Sequence, residues 1–136
     1  MIVMLSADIC RLIMKEQPAE LLSKFQQWSA NSDELVISAI TYAELVAAAL
    51  LTGNSGGHMS VVQEFCERLE DIVPWDRGAV DCYTTIQLSA MQKEQTLNMN
   101  DAMVAAHALS LDATLITQNT RPFAEIPGLS LQSWPE

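Results

Sequence analysis

Positive charge is scarce in this 136-residue chain. Seven lysines and arginines stand against seventeen aspartates and glutamates, a net charge of −10 with both histidines neutral. Non-specific nucleic-acid binding rests on Lys and Arg neutralising phosphates, which argues against a freestanding DNA-binding domain. Such acidity suits a basic protein partner, or clustered carboxylates that take a divalent cation. Cysteine is scarce too. Cys10, Cys66 and Cys82 are odd in number, contain no Cys-x-x-Cys pair and are accompanied by only two histidines. A disulfide framework and a zinc site therefore lack support, and buried free thiols are expected. No apolar run approaches the roughly 18 residues needed to cross a bilayer. Met1-Ile-Val-Met-Leu5 begins apolar with no basic segment ahead of it, so neither a signal peptide nor a membrane role is expected, and the expected location is cytoplasmic. The five glycines form neither a phosphate-cradling loop nor a Gly-x-Ser-x-Gly elbow, which removes nucleotide-binding and serine-hydrolase readings.

What is present is a globular composition, 49% hydrophobic and 18% charged, expected to make one domain over residues 1–136. Residues 1–5 form a wholly apolar run suited to a buried parallel strand. Asp8 is placed to cap a short helix over 9–15, and Pro18 to open a second one running to about Ala30. A strand is expected at 35–38, a helix from about Tyr42 to Leu51, and a flexible loop over 52–57. Helix resumes at 61–69. A short strand at 71–75, stopped by Pro74, belongs at a sheet edge. A helix follows from Asp76 or Arg77 to Gln92, then a loop over 93–97. Asn98 caps the next helix, a strand occupies 113–117, and an edge strand lies near 129–131. Strands alternating with helices predict an α/β fold with a parallel sheet between helical layers. Ligands in such sheets bind beyond the carboxyl ends of the strands. Ser6 to Asp8, Ser38 to Glu44 and Thr117 to Arg121 all lie at such ends.

Among the acids, Glu44 stands in a Thr41-x-x-Glu44 pattern that also describes a capping box. Asp101, three residues after Asn98, could simply favour a helix N-terminus. Asp8 could be no more than a cap, and His107, two turns into an apolar helix, is expected to be a packed core histidine.

Four segments together resemble the PIN-domain family and, more narrowly, the VapC-type toxins of bacterial toxin–antitoxin pairs. They are Met4-Leu5-x-x-x-Ile9-Cys10, Ser38-Ala-Ile-Thr-Tyr-Ala-Glu44, Asn100-Asp101-x-x-Val-Ala-Ala-His107 and Leu115-Ile-Thr-x-Asn119-Thr-Arg121-x-Phe123. The resemblance implies a three-layer α/β/α sandwich around a short, mostly parallel sheet, usually dimeric. It also implies a Mg²⁺- or Mn²⁺-dependent endoribonuclease that cuts structured RNA such as tRNA and is held in check by a basic, DNA-binding cognate antitoxin. Glu44 and Asp101 fall on the second and third metal-binding acids of the family. Ser6 stands where the first acid belongs, Asp8 where the family has Asn, and Pro122 at the fourth acidic position. Asp8, two residues along an extended chain from Ser6, would face the same way about 6–7 Å further on and supply the missing ligand. On this basis Glu44, Asp101 and Asp8 hold the metal, Ser6 and Asn119 give polar support, and Arg121, Lys93, Arg11 and Lys15 are the available phosphate contacts. The alternative implied by the same departure is a degenerate relative that keeps dimerisation and antitoxin binding without chemistry.

Overall fold

A computed structural model describes residues 1–16, 19–31 and 33–134. Pro18, expected to open the second helix, lies outside the described residues. The chain runs β1 (Ile2–Leu5), α1 (Ala7–Met14), α2 (Ala19–Ala30), β2 (Glu34–Ser38), α3 (Ala39–Leu50), α4 (Ser55–Glu67) and β3 (Asp71–Val73). It continues through α5 (Arg77–Gln92), α6 (Met99–Ser110), β4 (Thr114–Thr117), a 3-10 turn (Arg121–Phe123) and β5 (Ser130–Ser133). The strands form one sheet in the order β3-β2-β1-β4-β5, and every pairing is parallel.

The apolar run of β1 explains its central place. Val3, Met4 and Leu5 are fully buried, as a strand covered by helices on both faces must be. Alternation then sorts each strand between two cores. Val3, Leu5, Leu35, Ile37 and Ile116 face a core completed by Ile9, Phe25, Leu45 and Phe65 from α1 to α4. Met4, Val36 and Leu115 face the opposite core, completed by Ile86 of α5 and by Ala102, Ala105 and Ala106 of α6. This is the expected three-layer sandwich, with β3 and β5 at the edges as expected.

Two boundaries and one burial pattern depart from the sequence expectation. First, α1 begins at Ala7 with Ser6 as its N-cap, so Asp8 is not the cap and does not continue an extended strand. Second, α4 begins inside the expected loop, at Ser55, with Gly56 and Gly57 in its first turn. Gly disfavours helix, but burying Val62 and Phe65 from the same helix in the first core outweighs that local preference. Third, only Cys10 of the three free cysteines is fully buried; burial pushes its thiol pKa well up.

Glu94, just past α5, sits at φ 55°, and Asp112, just past α6, at φ 53°. The left-handed conformation costs an L-residue about 1–2 kcal/mol, part of which glycine gives back in unfolded-chain entropy. Glu94→Gly is therefore expected to stabilise the fold by about 0.5–1 kcal/mol, read as a rise in urea midpoint at constant m-value.

Candidate active site

At the carboxyl ends of β1, β2 and β4, a cavity of about 170 Å³ is lined by Ser6, Asp8, Arg11, Glu44, Asp101 and Asn119, among others. Each acid arrives by a different route. Glu44 lies on α3, whose N-cap is Ser38, with Oγ accepting from the Ile40 N–H at 3.1 Å. Thr41 is a buried residue inside the helix, so the capping-box reading of Glu44 fails and its side chain lines the pocket. Asp101 lies in the first turn of α6. Asn98 supplies the cap, its Oδ1 accepting from the N–H groups of Asn100 and Asp101 at 2.9 and 3.2 Å. The Asp101 carboxylate is thus not needed to close the helix.

Asp8 is brought to the same cavity but is heavily engaged. Its Oδ1 accepts from the Ile9 N–H at 2.8 Å and from the Ser6 hydroxyl. Its Oδ2 accepts from Thr117 Oγ1 at 3.1 Å and from the Gln118 N–H at 3.0 Å. These bonds tether the start of α1 to the loop after β4. Asn119 sits in that loop, donating its N–H to Thr117 Oγ1 at 3.2 Å and accepting the Arg121 N–H at 3.4 Å. Nothing in the local sequence marks Thr117 as a site residue, although its segment lies at a strand's carboxyl end.

The electrostatics fit a place that wants a cation. Burial pushes the Glu44 carboxyl above its usual range, and Asp101 and Asp8 add to the rise; the Arg11 guanidinium and the nearby Asn100 amide pull it back. Burial likewise raises Asp101, with a further push from Asp8. Among the described residues, no three His, Cys, Asp or Glu side chains converge closely enough to cage a metal ion. The donors are nonetheless all oxygen, the kind a hard divalent ion prefers. An ion such as Mg²⁺ is commonly held by one or two carboxylates, with water and substrate phosphate filling the other positions. The residues present fit that looser mode of binding.

The basic residues separate. Arg11 lines the acidic cavity and, with Lys15, an apolar groove between α1, α3 and α4. Arg121 lines a neighbouring cavity instead. Lys93 is exposed at the end of α5. His107 is buried, as expected, and its Nδ1 lies 2.7 Å from Ser38 Oγ. Burial lowers its pKa, against opposing pulls from Asp76 and the Pro74 backbone.

A family model described as the PIN domain matches residues 12–129. The chain belongs to the PIN-domain family. Within it, the chain is 33% identical over 134 residues to Ribonuclease VapC1 of Haemophilus influenzae (strain R2866), covering 98% of each protein. It is 28% identical over 131 residues to the tRNA(fMet)-specific endonuclease VapC of Shigella flexneri, covering 96% of each. Its fold is similar to the crystal structure of VapBC2 from Rickettsia felis bound to a promoter DNA fragment. The TM-score there is 0.93 at 28% identity, covering 98% of this chain and 99% of that one. This PIN domain is thus of the VapC kind along nearly its whole length.

The raised carboxyls carry a stability consequence. A carboxyl whose folded pKa is raised favours the fold fully below its unfolded pKa, and that contribution is lost as pH rises through the folded value. At neutral pH without metal, Asp101 therefore works against folding. Asp101→Asn should melt higher than the unsubstituted chain at pH 7 in chelator, the gap closing as pH falls toward about 4. Equal melting temperatures across that range would contradict the placement of Asp101 in a desolvated, like-charged pocket.

Proposed function

We propose that this single-domain VapC-type protein is a cytoplasmic Mg²⁺- or Mn²⁺-dependent endoribonuclease. It cuts structured RNA of the tRNA class and is neutralised by a basic, DNA-binding antitoxin. The observation that carries the reading is the meeting of Glu44, Asp101 and Asp8 in one cavity at the carboxyl edge of the sheet, in a chain related to VapC ribonucleases over 98% of its length. Glu44 and Asp101 are the principal ligands, Asp8 the third, and Ser6 and Asn119 polar support. Held by these residues, a divalent ion would supply water activation and charge stabilisation at the scissile phosphate. The chain's own contribution is positional. Asn98 and Ser38 cap the two helices that present Asp101 and Glu44, and Asp8 holds the Asn119 loop against α1. Arg11 stands at the same cavity, where a phosphate oxygen would pair with it.

The antitoxin reading rests on the groove of about 340 Å³ between α1, α3 and α4, lined by Met14, Leu45 and Val62 and edged by Arg11 and Lys15. It shares Arg11 with the acidic cavity. An amphipathic segment laid in the groove can therefore extend a basic side chain to Glu44 and Asp101. For self-association, α5 offers an outward stripe of Val80, Thr84, Leu88 and Met91, with Leu88 55% and Met91 71% exposed. This uncharged stripe suits a second copy of so acidic a chain. Leu88→Glu should convert a dimer to a monomer by light scattering, with little change in melting temperature. A dimer that survives the substitution places the interface elsewhere.

One observation favours a second reading: Ser6 occupies the first acid's position, and its neighbour Asp8 is spent on four hydrogen bonds. On that reading the fold and antitoxin binding persist without cleavage. Calorimetric titration with Mn²⁺ separates the two. Heat lost in Asp101→Ala, together with a loss of RNA cleavage of at least about 100-fold, is expected of the nuclease. Absence of binding at millimolar Mn²⁺ assigns the chain to the second reading, and toxicity that appears only in Ser6→Asp identifies the missing ligand as the cause.

A further inference from the structure

A second cavity, of about 400 Å³, lies beside the acidic one, between the C-terminal half of α5, the segment 95–97 and the residues after the 3-10 turn. The 3-10 turn is the partition between the two. Arg121 and Pro122 line the larger cavity, while Pro122 and Phe123 line the acidic one. A strand drawn across Pro122 therefore meets both.

The floor and the rim of this cavity differ in character. Ile86, Ala90, Leu97 and Ile126 make the floor apolar, and Ile86, Ala90 and Ile126 are buried. On the rim, the Gln95 side-chain amide donates from Nε2 to Oε2 of Glu125. The amide keeps its second N–H and Oε1, whereas Glu125 keeps a second carboxylate oxygen that can only accept. Arg121 contributes the positive charge of this wall. The volume lies in the range of roughly 300–1,000 Å³ used for one small ligand. An apolar floor and a rim that sets the Glu125 carboxylate beside one guanidinium are poorly matched to an anion. They match a flat, neutral group that carries N–H donors and is attached to a phosphate.

We propose that this cavity is a nucleobase subsite for the RNA cut in the acidic pocket. It takes an unpaired base with an exocyclic amino group (adenine, cytosine or guanine) in preference to uracil, and Arg121 holds the adjoining phosphate. The proposal rests on the nuclease reading above. Sequence-specific recognition of RNA commonly takes bases splayed out of loops and reads them by their hydrogen-bonding edges. An amino group finds an acceptor at Glu125, whereas the O4 carbonyl of uracil meets like partial charge.

The test uses the full chain carrying Asp101→Asn, so that bound RNA is not consumed, and fluorescence anisotropy with short single-stranded oligo(A), oligo(C) and oligo(U). Oligo(A) and oligo(C) are expected to bind about tenfold more tightly than oligo(U), the discrimination of one good base contact. Adding Glu125→Gln, an isosteric change at an exposed position, should flatten that ratio by supplying a donor. Arg121→Ala should weaken all three oligonucleotides alike. Equal binding of the three, or a ratio unchanged by Glu125→Gln, overturns the proposal. So does a Glu125→Gln change that alters the oligomeric state and leaves base preference intact, since the cavity would then be covered by a second copy. The nuclease reading fails separately. Base-dependent binding in a chain that cleaves nothing with Mn²⁺ leaves the subsite standing and removes the chemistry, whereas Asp101-dependent cleavage with base-blind binding does the reverse.

Discussion

One hydrogen bond joins the two layers of helices at the point where the site is built. His107 Nδ1, on α6, meets Ser38 Oγ at the junction of β2 and α3. The same hydroxyl accepts from the Ile40 N–H and so caps α3. A hydroxyl with one proton and two lone pairs can satisfy both partners while the imidazole stays neutral, which the burial of His107 independently favours. Glu44 rides on the helix that Ser38 starts, and Asp101 on the helix that carries His107. The separation of the two carboxyls is therefore governed by a contact between two buried residues, neither of them in the pocket. Trp75 reinforces it by donating its indole N–H to the Met103 carbonyl of α6 at 3.0 Å.

Much of this is legible in the amino-acid sequence. The apolar β1, the capping Asn98, the edge positions of β3 and β5 and the candidates Glu44 and Asp101 follow from pattern and from family resemblance. What escaped was set by tertiary partners. Nothing local announces that Gly56 and Gly57 will be helical, because the decision is made by Val62 and Phe65 further along. Asp8 looked like a cap or a strand residue, and its actual bonds to Thr117 and Gln118 span more than a hundred residues of sequence. His107 was legible as buried but not as bonded, since its partner lies on the other helical layer.

The chain's acidity and its function sit in tension that the fold partly resolves. A phosphate backbone has few places to rest on a surface of charge −10, so guanidinium groups at particular sites matter more than overall potential. Arg11 and Arg121 lie on opposite sides of the Pro122 partition, one at the acidic cavity and one in its neighbour. On the proposed reading, such an arrangement would hold RNA by local contact and make binding less dependent on long-range attraction.

The sheet order also bears on synthesis. β1, central and without a polar side chain, precedes both of its sheet neighbours, β2 and β4, in the chain, and β4 is made only from residue 114 onward. Until then one edge of the most apolar strand is unpaired, and long-range parallel pairing is slow to form. Asp101, Asn119 and the Thr117 anchor for Asp8 arrive in that same late portion. The cavity that gathers Asp8, Glu44 and Asp101 is therefore completed only when β4 pairs with β1, whereas the groove between α1, α3 and α4 is built from the first half of the chain.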